Sequence, residues 1–503
     1  MNENKLTSRL GFILLSAGCA IGLGNVWKFP WMVGQGGGAA FVLIYLVFLI
    51  ILGLPVMTAE FTLGRASQKS PVKMYQALQK PGQKWHIHGV ASMVGNYALM
   101  SFYIVIAGWI LKYFCEYTVG AGASTAGTDS ALVGAAFGDT ASNMTTLIIY
   151  AFAVIVIAIV VLIFEVSKVL EKVIKWMMLG LLVLMVILAI HGIRLDLSSA
   201  NPGEGLKFYL LPDFSKLTPS TVYTAMNQAF FTLSLGIGSM AIFGSYIGKD
   251  RAMMGESVRV IALDTLAAIT AGFIIFPACF SFGVEPDAGA SLIFVTLPQV
   301  FNSMELGRLW GALFFLFFTF AAFSTVLAVV ENCVAMCMDA FGWSRKKACI
   351  INLFGLMVLV MPVILGFTVW SDFHPFGGST DMSDLIDFYV SYLALPLGSM
   401  IYVIYVTRRK GFGWKKFVEE ANTGKGLKVR NWLFGYMKWV LPVIILVICG
   451  LGLIDRFGIE VNDLALGSLT VPGWLVKVIV LTIIAAIIEA VFEVIARKGV
   501  KEE

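Results

Sequence analysis

Apolar runs of about twenty residues recur along almost the whole chain, and no other feature restricts its fold as much. A helix rising 1.5 Å per residue crosses a hydrocarbon layer of roughly 30 Å in such a run, whereas a spanning strand needs only about 10 residues. In lipid every backbone N–H and C=O must be satisfied within the protein, which leaves helices or closed barrels. Run length selects helices. The runs lie near 10–34, 39–63, 89–113, 144–165, 170–193, 222–246, 257–282, 308–339, 348–370, 384–407, 433–455 and 472–495, here spans 1 to 12. Only 13% of the 503 residues are charged, against about a quarter in a soluble domain. The sequence therefore predicts an all-α membrane protein of about twelve transmembrane helices. The shorter, amphipathic segment 291–302 is expected to be a helix lying in a loop. The first run starts near Leu10 without a small-residue cleavage site and reads as a retained span.

The net charge of +5 does not point to nucleic acid, because the basic residues sit in short clusters between the runs. Arg65, Lys69, Lys73, Lys80 and Lys84 lie between spans 2 and 3, Lys249 and Arg251 after span 6, Arg345 to Lys347 after span 8, and Arg408 to Lys410 after span 10. The alternate loops 116–143, 283–307 and 371–383 contain no Lys or Arg. Positive residues mark the cytoplasmic side, so both termini are expected there, which requires an even number of spans. Lys207 and Lys216, in a loop expected outside, weaken this pattern. The seven cysteines fall nearly all within apolar runs and form no CxxC, so they read as buried hydrophobes rather than disulfides or zinc ligands. No HExxH and no catalytic pairing of nucleophile and base is visible, and an enzyme is not expected.

Two spans carry glycines at mid-depth. Span 1 has Gly18, Gly22 and Gly24, followed by Asn25 and Pro30; span 6 has Gly236 and Gly238 within Thr232-Leu-Ser-Leu-Gly-Ile-Gly-Ser239. Glycine and proline loosen a helix and free its polar backbone groups, which lipid tolerates only beside a cavity or ligand. The two are five spans apart, an odd number, so the second set of spans begins from the opposite face. That is the arrangement of an inverted repeat of five plus five helices with both broken helices meeting at a midplane site. The expected division is 1–193 for the first repeat, 194–410 for the second, and 411–503 for two extra helices and a tail.

The stretch Gly18-Cys-Ala-Ile-Gly-Leu-Gly-Asn-Val-Trp-Lys-Phe-Pro30 resembles the first-helix motif of the neurotransmitter:sodium symporter family. Gly34-Gln-Gly-Gly-Gly-Ala-Ala-Phe41, Gly53-Leu-Pro-Val-Met-Thr-Ala-Glu-Phe-Thr-Leu-Gly-Arg65 and Phe230-Phe-Thr-Leu-Ser-Leu-Gly236 look like its following elements. The similarity runs over spans 1 to 10 and points to the bacterial, amino-acid-carrying branch with the bacterial leucine transporter fold. It implies a sodium-coupled symporter that imports an amino acid by alternating access. Other readings are a carrier of another small zwitterion, such as a betaine or β-amino acid, and, from a different class, a channel or a substrate sensor.

The resemblance also assigns residues. Backbone amides of Gly22 and Leu23 and the hydroxyl of Tyr103 would meet the substrate carboxylate. Amine-carrying relatives have aspartate where Gly22 stands, so glycine favours a substrate that brings its own carboxylate. Leu99, Tyr103, Phe231, Ser234, Ile237 and Val329 would line an apolar pocket, suited to a hydrophobic or aromatic side chain. Two sodium ions are implied. One would use Ala20, Asn25, Thr232, Asp264 and the substrate carboxylate; the other Gly18, Ile21, Ala321, Ser324 and Thr325. The competing reading of the two hydroxyls is a bond back to their own helix. Asp264 replaces the usual asparagine, and its carboxylate would supply the negative charge that chloride supplies elsewhere, making chloride unnecessary; alternatively it exchanges a proton on the return step.

Lys28 and Asp387 match the family's outer gate, with lysine where arginine is usual. Asp339, Ser245 and Tyr246 match the inner closure. Its amino-terminal arginine and tryptophan are replaced by Glu3 and Leu6, leaving Lys5 or Arg9 as the expected partner of Asp339. Glu60 would brace the unwound part of helix 1 or 6, while the role of Glu331 stays open. The loop between spans 3 and 4 lacks the cysteine pair of animal relatives, which favours a bacterial inner membrane. Besides the substrate, membrane lipid is the expected surrounding, and the sequence fixes no oligomeric state.

Overall fold

The computed structural model describes residues 9–164, 169–283, 292–375, 377, 380–457, 464–466 and 469–497. Nine described helices are long and apolar enough to cross a membrane: Ala39–Ser67, His86–Val119, Met144–Leu162, Glu171–Leu197, Met253–Ser281, Gly307–Phe341, Arg345–Phe367, Met382–Thr407 and Leu433–Ile454. They correspond to expected spans 2 to 5 and 7 to 11. Span 1 is a pair of helices, Arg9–Ala20 and Gly24–Gln35, bent by 52° at the break. Span 6 consists of the helices Pro219–Thr232 and Ser239–Tyr246, joined by a non-helical turn. The last helix, Gly473–Arg497, falls on expected span 12. The loop helix expected at 291–302 appears as a π-helical turn, Leu292–Thr296, running into Leu297–Ser303. A short two-stranded hairpin, Leu464–Leu466 with Leu469–Val471, lies between the last two helices of the otherwise helical chain.

Proline shapes several of these helices. π-Helical turns at Gly24–Lys28, Leu49–Gly53, Leu292–Thr296, Tyr389–Ala394 and Tyr436–Val440 each end two residues before a proline, namely Pro30, Pro55, Pro298, Pro396 and Pro442. Proline offers no N–H and its ring collides with the carbonyl four residues back, so the preceding turn widens.

Span 8 lies at the centre: 83% of its most apolar stretch is buried, against 33% for span 5 and 39% for spans 4, 9 and 11. Spans 1, 3 and 6 pack around it. Close crossings rest on glycine. A Cβ on Gly64 of span 2 or on Gly244 of span 6 would run into the backbone of the facing helix, at Ala241 and Phe61 respectively. Such small-residue contacts let helix backbones approach where lipid provides no hydrophobic drive.

Candidate substrate and sodium site

Both helix breaks fall where the glycines stand. In span 6 the backbone of Ser234 (φ 49°), Gly236 (φ 94°) and Gly238 (φ 78°) is left-handed, a region open to glycine at no steric cost. The Gly236 amide, freed by this turn, donates to Glu60 Oε1 at 2.6 Å. Span 2 thus holds the unwound part of span 6. Across the break, Gln228 Nε2 donates to the Gly24 carbonyl at 2.7 Å and ties the two broken helices together. Sequence reasoning missed Gln228, although a buried glutamine two turns before a glycine break is a readable signal.

A first cluster of oxygens gathers beside this tie. Asn25 Nδ2 donates to Asp264 Oδ1 at 2.8 Å, and its Oδ1 accepts the Gly22 amide at 3.1 Å. Thr232 Oγ1 reaches both Asp264 oxygens at 3.1 and 3.2 Å. All three residues are buried. The cluster therefore joins spans 1, 6 and 7 around one carboxylate.

A second cluster links spans 1 and 8. Thr325 Oγ1 lies 3.3 Å from the carbonyls of Gly18, Cys19 and Ile21, and Ser324 Oγ lies 3.3 Å from that of Ile21. Ser324 also donates to Ala321 O, its own helix, at 2.9 Å. The reading of a bond back to its own helix thus describes Ser324 in part, while the bonds of Thr325 run across to span 1. Both clusters offer hard oxygens and no sulfur or imidazole, the donor type that alkali and alkaline-earth cations take. Among the described residues there is no His/Cys/Asp/Glu group of the kind that holds a transition metal.

Between the clusters lies a small cavity of about 10 Å³, lined by Cys19, Ala20, Gly22, Gly24, Leu99, Tyr103, Phe231, Ser234, Thr325 and Leu395. Here the geometry differs from expectation. The Gly22 amide is engaged by Asn25, and the Leu23 amide donates to Tyr103 Oη at 3.0 Å. A Cβ on Gly22 would fall well inside contact distance of both Thr325 Oγ1 and Tyr103 Oη. Ile237 and Val329 are not on the cavity wall. The Ile237 side chain packs against Gly95 of span 3, and its carbonyl accepts from Asn96 at 2.8 Å. Leu395 and Cys19 take places on the wall that the sequence did not suggest.

Toward the Lys/Arg-poor face, a vestibule of about 290 Å³ opens above Phe231, lined by Leu23, Trp27, Trp31, Trp109, Asp381 and Asp387 among others. The Lys28 ammonium straddles the Asp387 carboxylate at 3.0 and 3.1 Å and sits 4.0 Å above the Phe231 ring. Ser391 adds a further contact at 3.2 Å.

On the Lys/Arg-rich face the expected closure is rearranged. Asp339 Oδ2 accepts the Ser70 amide at 2.7 Å, capping the short helix Pro71–Leu78. Ser245 bonds back to Ile242 O, and Tyr246 donates to Glu331 Oε1 at 3.0 Å rather than to Asp339. Arg9 pairs with Glu256, not Asp339, at 3.0 Å, and Arg259 shares that carboxylate. Lys5 lies outside the described residues. The physical reason is satisfaction: a helix N-terminus already meets Asp339 with an amide and a favourable dipole, while the buried Glu256 carboxylate takes Arg9 beside Arg259 as a second counter-charge. Glu331 is placed here as well. It is fully buried and accepts from Nη1 and Nη2 of Arg345, at 3.0 and 2.5 Å.

Helices broken at mid-depth, facing each other across buried oxygen clusters, define a secondary carrier of the leucine-transporter type. Independent comparisons agree. The sequence profile of the sodium:neurotransmitter symporter family matches residues 3–120 and 135–499. An uncharacterized sodium-dependent transporter, YhdH, of Bacillus subtilis is 32% identical over 89% of this chain and 98% of its own length. One from Haemophilus influenzae is 31% identical over 88% and 96%. The crystal structure of MhsT in complex with L-phenylalanine superposes with a TM-score of 0.80 at 36% identity, over 88% of this chain and 98% of that one. The chain belongs to the sodium:neurotransmitter symporter family: it is a multi-pass membrane protein and a sodium-dependent transporter, not an enzyme.

Proposed function

We propose that this transporter imports an amino acid with a hydrophobic or aromatic side chain, coupled to two sodium ions, by alternating access. The observation that carries the reading is the junction of Gly22, Asn25, Thr232 and Asp264, which places a helix-break amide and a carboxylate-centred oxygen cluster side by side. An incoming carboxylate would take the Leu23 amide and the Tyr103 hydroxyl, now bonded to each other, and complete the first sodium site. Gly18, Ile21, Ala321, Ser324 and Thr325 would form the second, and Ala20 would add a carbonyl to the first. Leu99, Phe231, Ser234 and the neighbouring Ile237 and Val329 would shape the side-chain pocket once it widens. The apolar wall and the phenylalanine bound by MhsT support the substrate class.

Asp264 would provide the anion of the first site, so that transport needs no chloride. Lys28 with Asp387 would close the outside. Asp339, Ser245 and Tyr246, joined by Glu331, would belong to the inside, with the Lys/Arg-rich face and both termini in the cytoplasm of a bacterial cell. Twelve crossings, divided at 193 and 410, complete the proposed architecture, and Glu60 would brace the broken span 6.

The test is uptake of labelled phenylalanine into proteoliposomes under a sodium or a potassium gradient, with chloride or gluconate. Sodium-driven, chloride-indifferent uptake is expected. Betaine outcompeting phenylalanine would favour the other zwitterion class, named for a Caenorhabditis elegans relative that is 23% identical. Binding without counterflow would mark a sensor, and a sodium current without saturation a channel. Gly22→Ala, which pushes a methyl group into Thr325 and Tyr103, is expected to weaken phenylalanine binding at least roughly tenfold, about 1.4 kcal/mol.

A further inference from the structure

A groove of about 330 Å³ runs between spans 2, 7 and 11 on the Lys/Arg-rich half of the molecule. Its wall includes Ile51, Leu54, Pro55, Met254, Trp432 and Tyr436. Two hydroxyls lie on that wall, and each is turned onto a backbone carbonyl. Thr58 donates to Leu54 O at 2.7 Å, and Tyr436 donates to Ile51 O at 2.6 Å. The second is the carbonyl that Pro55, four residues on, leaves without its helical donor. With its polar groups used in this way, the groove presents a hydrocarbon surface. From Ile50 to Thr58 it follows nine residues of span 2, a rise of about 12 Å, which fits within one leaflet of a core roughly 30 Å thick.

The mouth of the groove has the opposite character. Residues 408–438 contain nine Lys or Arg against two acids, Glu419 and Glu420. Glu420 is engaged by buried Arg65 and by Lys249. Val429 forms part of the groove wall, while its neighbours Lys428 and Arg430 are exposed and make no ion pair among the described residues. Asn422 holds this segment rigidly, accepting from Val429 N at 2.7 Å and donating to Val429 O at 2.9 Å. Trp432, 68% exposed, stands at the rim, the place an interfacial indole takes at the edge of a bilayer.

We infer that this groove holds one anionic glycerophospholipid from the leaflet on the basic side, its acyl chain lying along span 2 and its phosphate on Lys428 and Arg430. Charge complementarity at a fixed mouth distinguishes this occupant from bulk zwitterionic lipid. The lipid would touch the widened turn of span 2 and the helix Trp414–Ala421 whose Glu420 clamps Arg65, so it would bridge elements that lie far apart in sequence.

Native mass spectrometry of the full chain tests this with phosphatidylglycerol and phosphatidylcholine of identical chains, and with glycerol 3-phosphate as a headgroup lacking a chain. One equivalent of phosphatidylglycerol is expected to be retained in preference to phosphatidylcholine, and glycerol 3-phosphate is expected not to bind. The double variant Lys428→Gln/Arg430→Gln should reduce phosphatidylglycerol retention roughly thirtyfold, at the usual contribution of a basic residue near an anionic surface. Leu54→Trp, which fills the groove, should reduce retention of both lipids, and sodium-dependent thermal stabilisation of each variant serves as the check of folding. Equal retention of the two lipids, a preference that survives the double variant, or glycerol 3-phosphate binding as tightly as the lipid would each overturn the inference.

Discussion

The two faces of the binding region are closed in different ways. On the Lys/Arg-poor side one ion pair, Lys28 with Asp387, stands between an open vestibule and the cavity, and its side chains are 15% and 30% exposed. On the Lys/Arg-rich side the carboxylates Glu331 and Glu256 are buried and each has several partners, while Arg9 and Arg259 reach water. Glu331 is wholly enclosed with Arg345 and Tyr246, and buried Arg65 reaches Glu420 and the Arg251 carbonyl. Arg9 and Arg259 share Glu256. A pair near water gains little from Coulomb attraction, whereas a buried pair is held by the cost of leaving either partner alone. One face is therefore built to open at small cost. The other opens only when a whole set of bonds is exchanged; the two are, in that sense, a thin face and a thick one.

The largest effect should come from splitting the most buried pair. Glu331→Ala strands the Arg345 guanidinium, which still donates to Leu162 O and Phe164 O at 2.8 Å but loses its counter-charge. The expected destabilisation is about 3–5 kcal/mol, read as a fall in melting temperature in detergent. Replacing both partners by methionine should recover most of it, because an apolar pair of similar volume leaves no stranded charge. If the single and double variants melt alike, the thick face is not held by this pair.

Lys28→Ala probes the thin face. Loss of a half-buried pair that keeps contact with water, and of the cation–π contact beside it, amounts to about 1–2 kcal/mol, so the melting temperature should move less than for Glu331→Ala. Dissociation of labelled substrate should nevertheless speed up severalfold, because Lys28 also sits over the Phe231 ring. Lys28→Arg should keep both contacts. A stability loss equal to that of Glu331→Ala would remove the contrast between the faces.

How much of this was legible beforehand follows from what each feature depends on. Spans are local, and run length alone located the nine helices to within a few residues. The breaks were legible because glycine at mid-depth has few other uses in a helix. Partner choice was not. Arg9 and Glu256 lie 247 residues apart, and nothing local told Arg9 to prefer Glu256 over Asp339. The rim of the cavity was also obscure, since the left-handed turn after Thr232 has no helical period from which the facing of Ile237 could be read. Nor does sequence say that the Gly22 and Leu23 amides are already bonded to Asn25 and Tyr103. Glu331 and Arg345, only 14 residues apart across a helix turn, were within reach of such a reading.

The smallest expected effect concerns the vestibule rim, where Asp381 caps the helix Met382–Phe388. Its side chain accepts the Asp384 amide at 2.9 Å, and Asp384 returns the bond to the Asp381 amide at 3.0 Å. Burial pushes the Asp381 carboxyl above the ordinary carboxylate range, partly offset by that amide bond, while the nearby Asp384 charge adds to the rise. A carboxyl whose folded value is raised holds its proton more tightly in the folded state. Its contribution to stability is then fully present below the unfolded value, about 3.9, and is lost as pH rises through the folded one. Asparagine is an equally good cap but does not titrate. Asp381→Asn should therefore equal or slightly exceed the wild-type melting temperature at pH 7, and the wild type should gain on it as pH falls toward 4. A wild-type protein that loses ground to Asp381→Asn on acidification would show that the rim carboxylate is stabilised as an anion, and that the thin face, too, is held by charge.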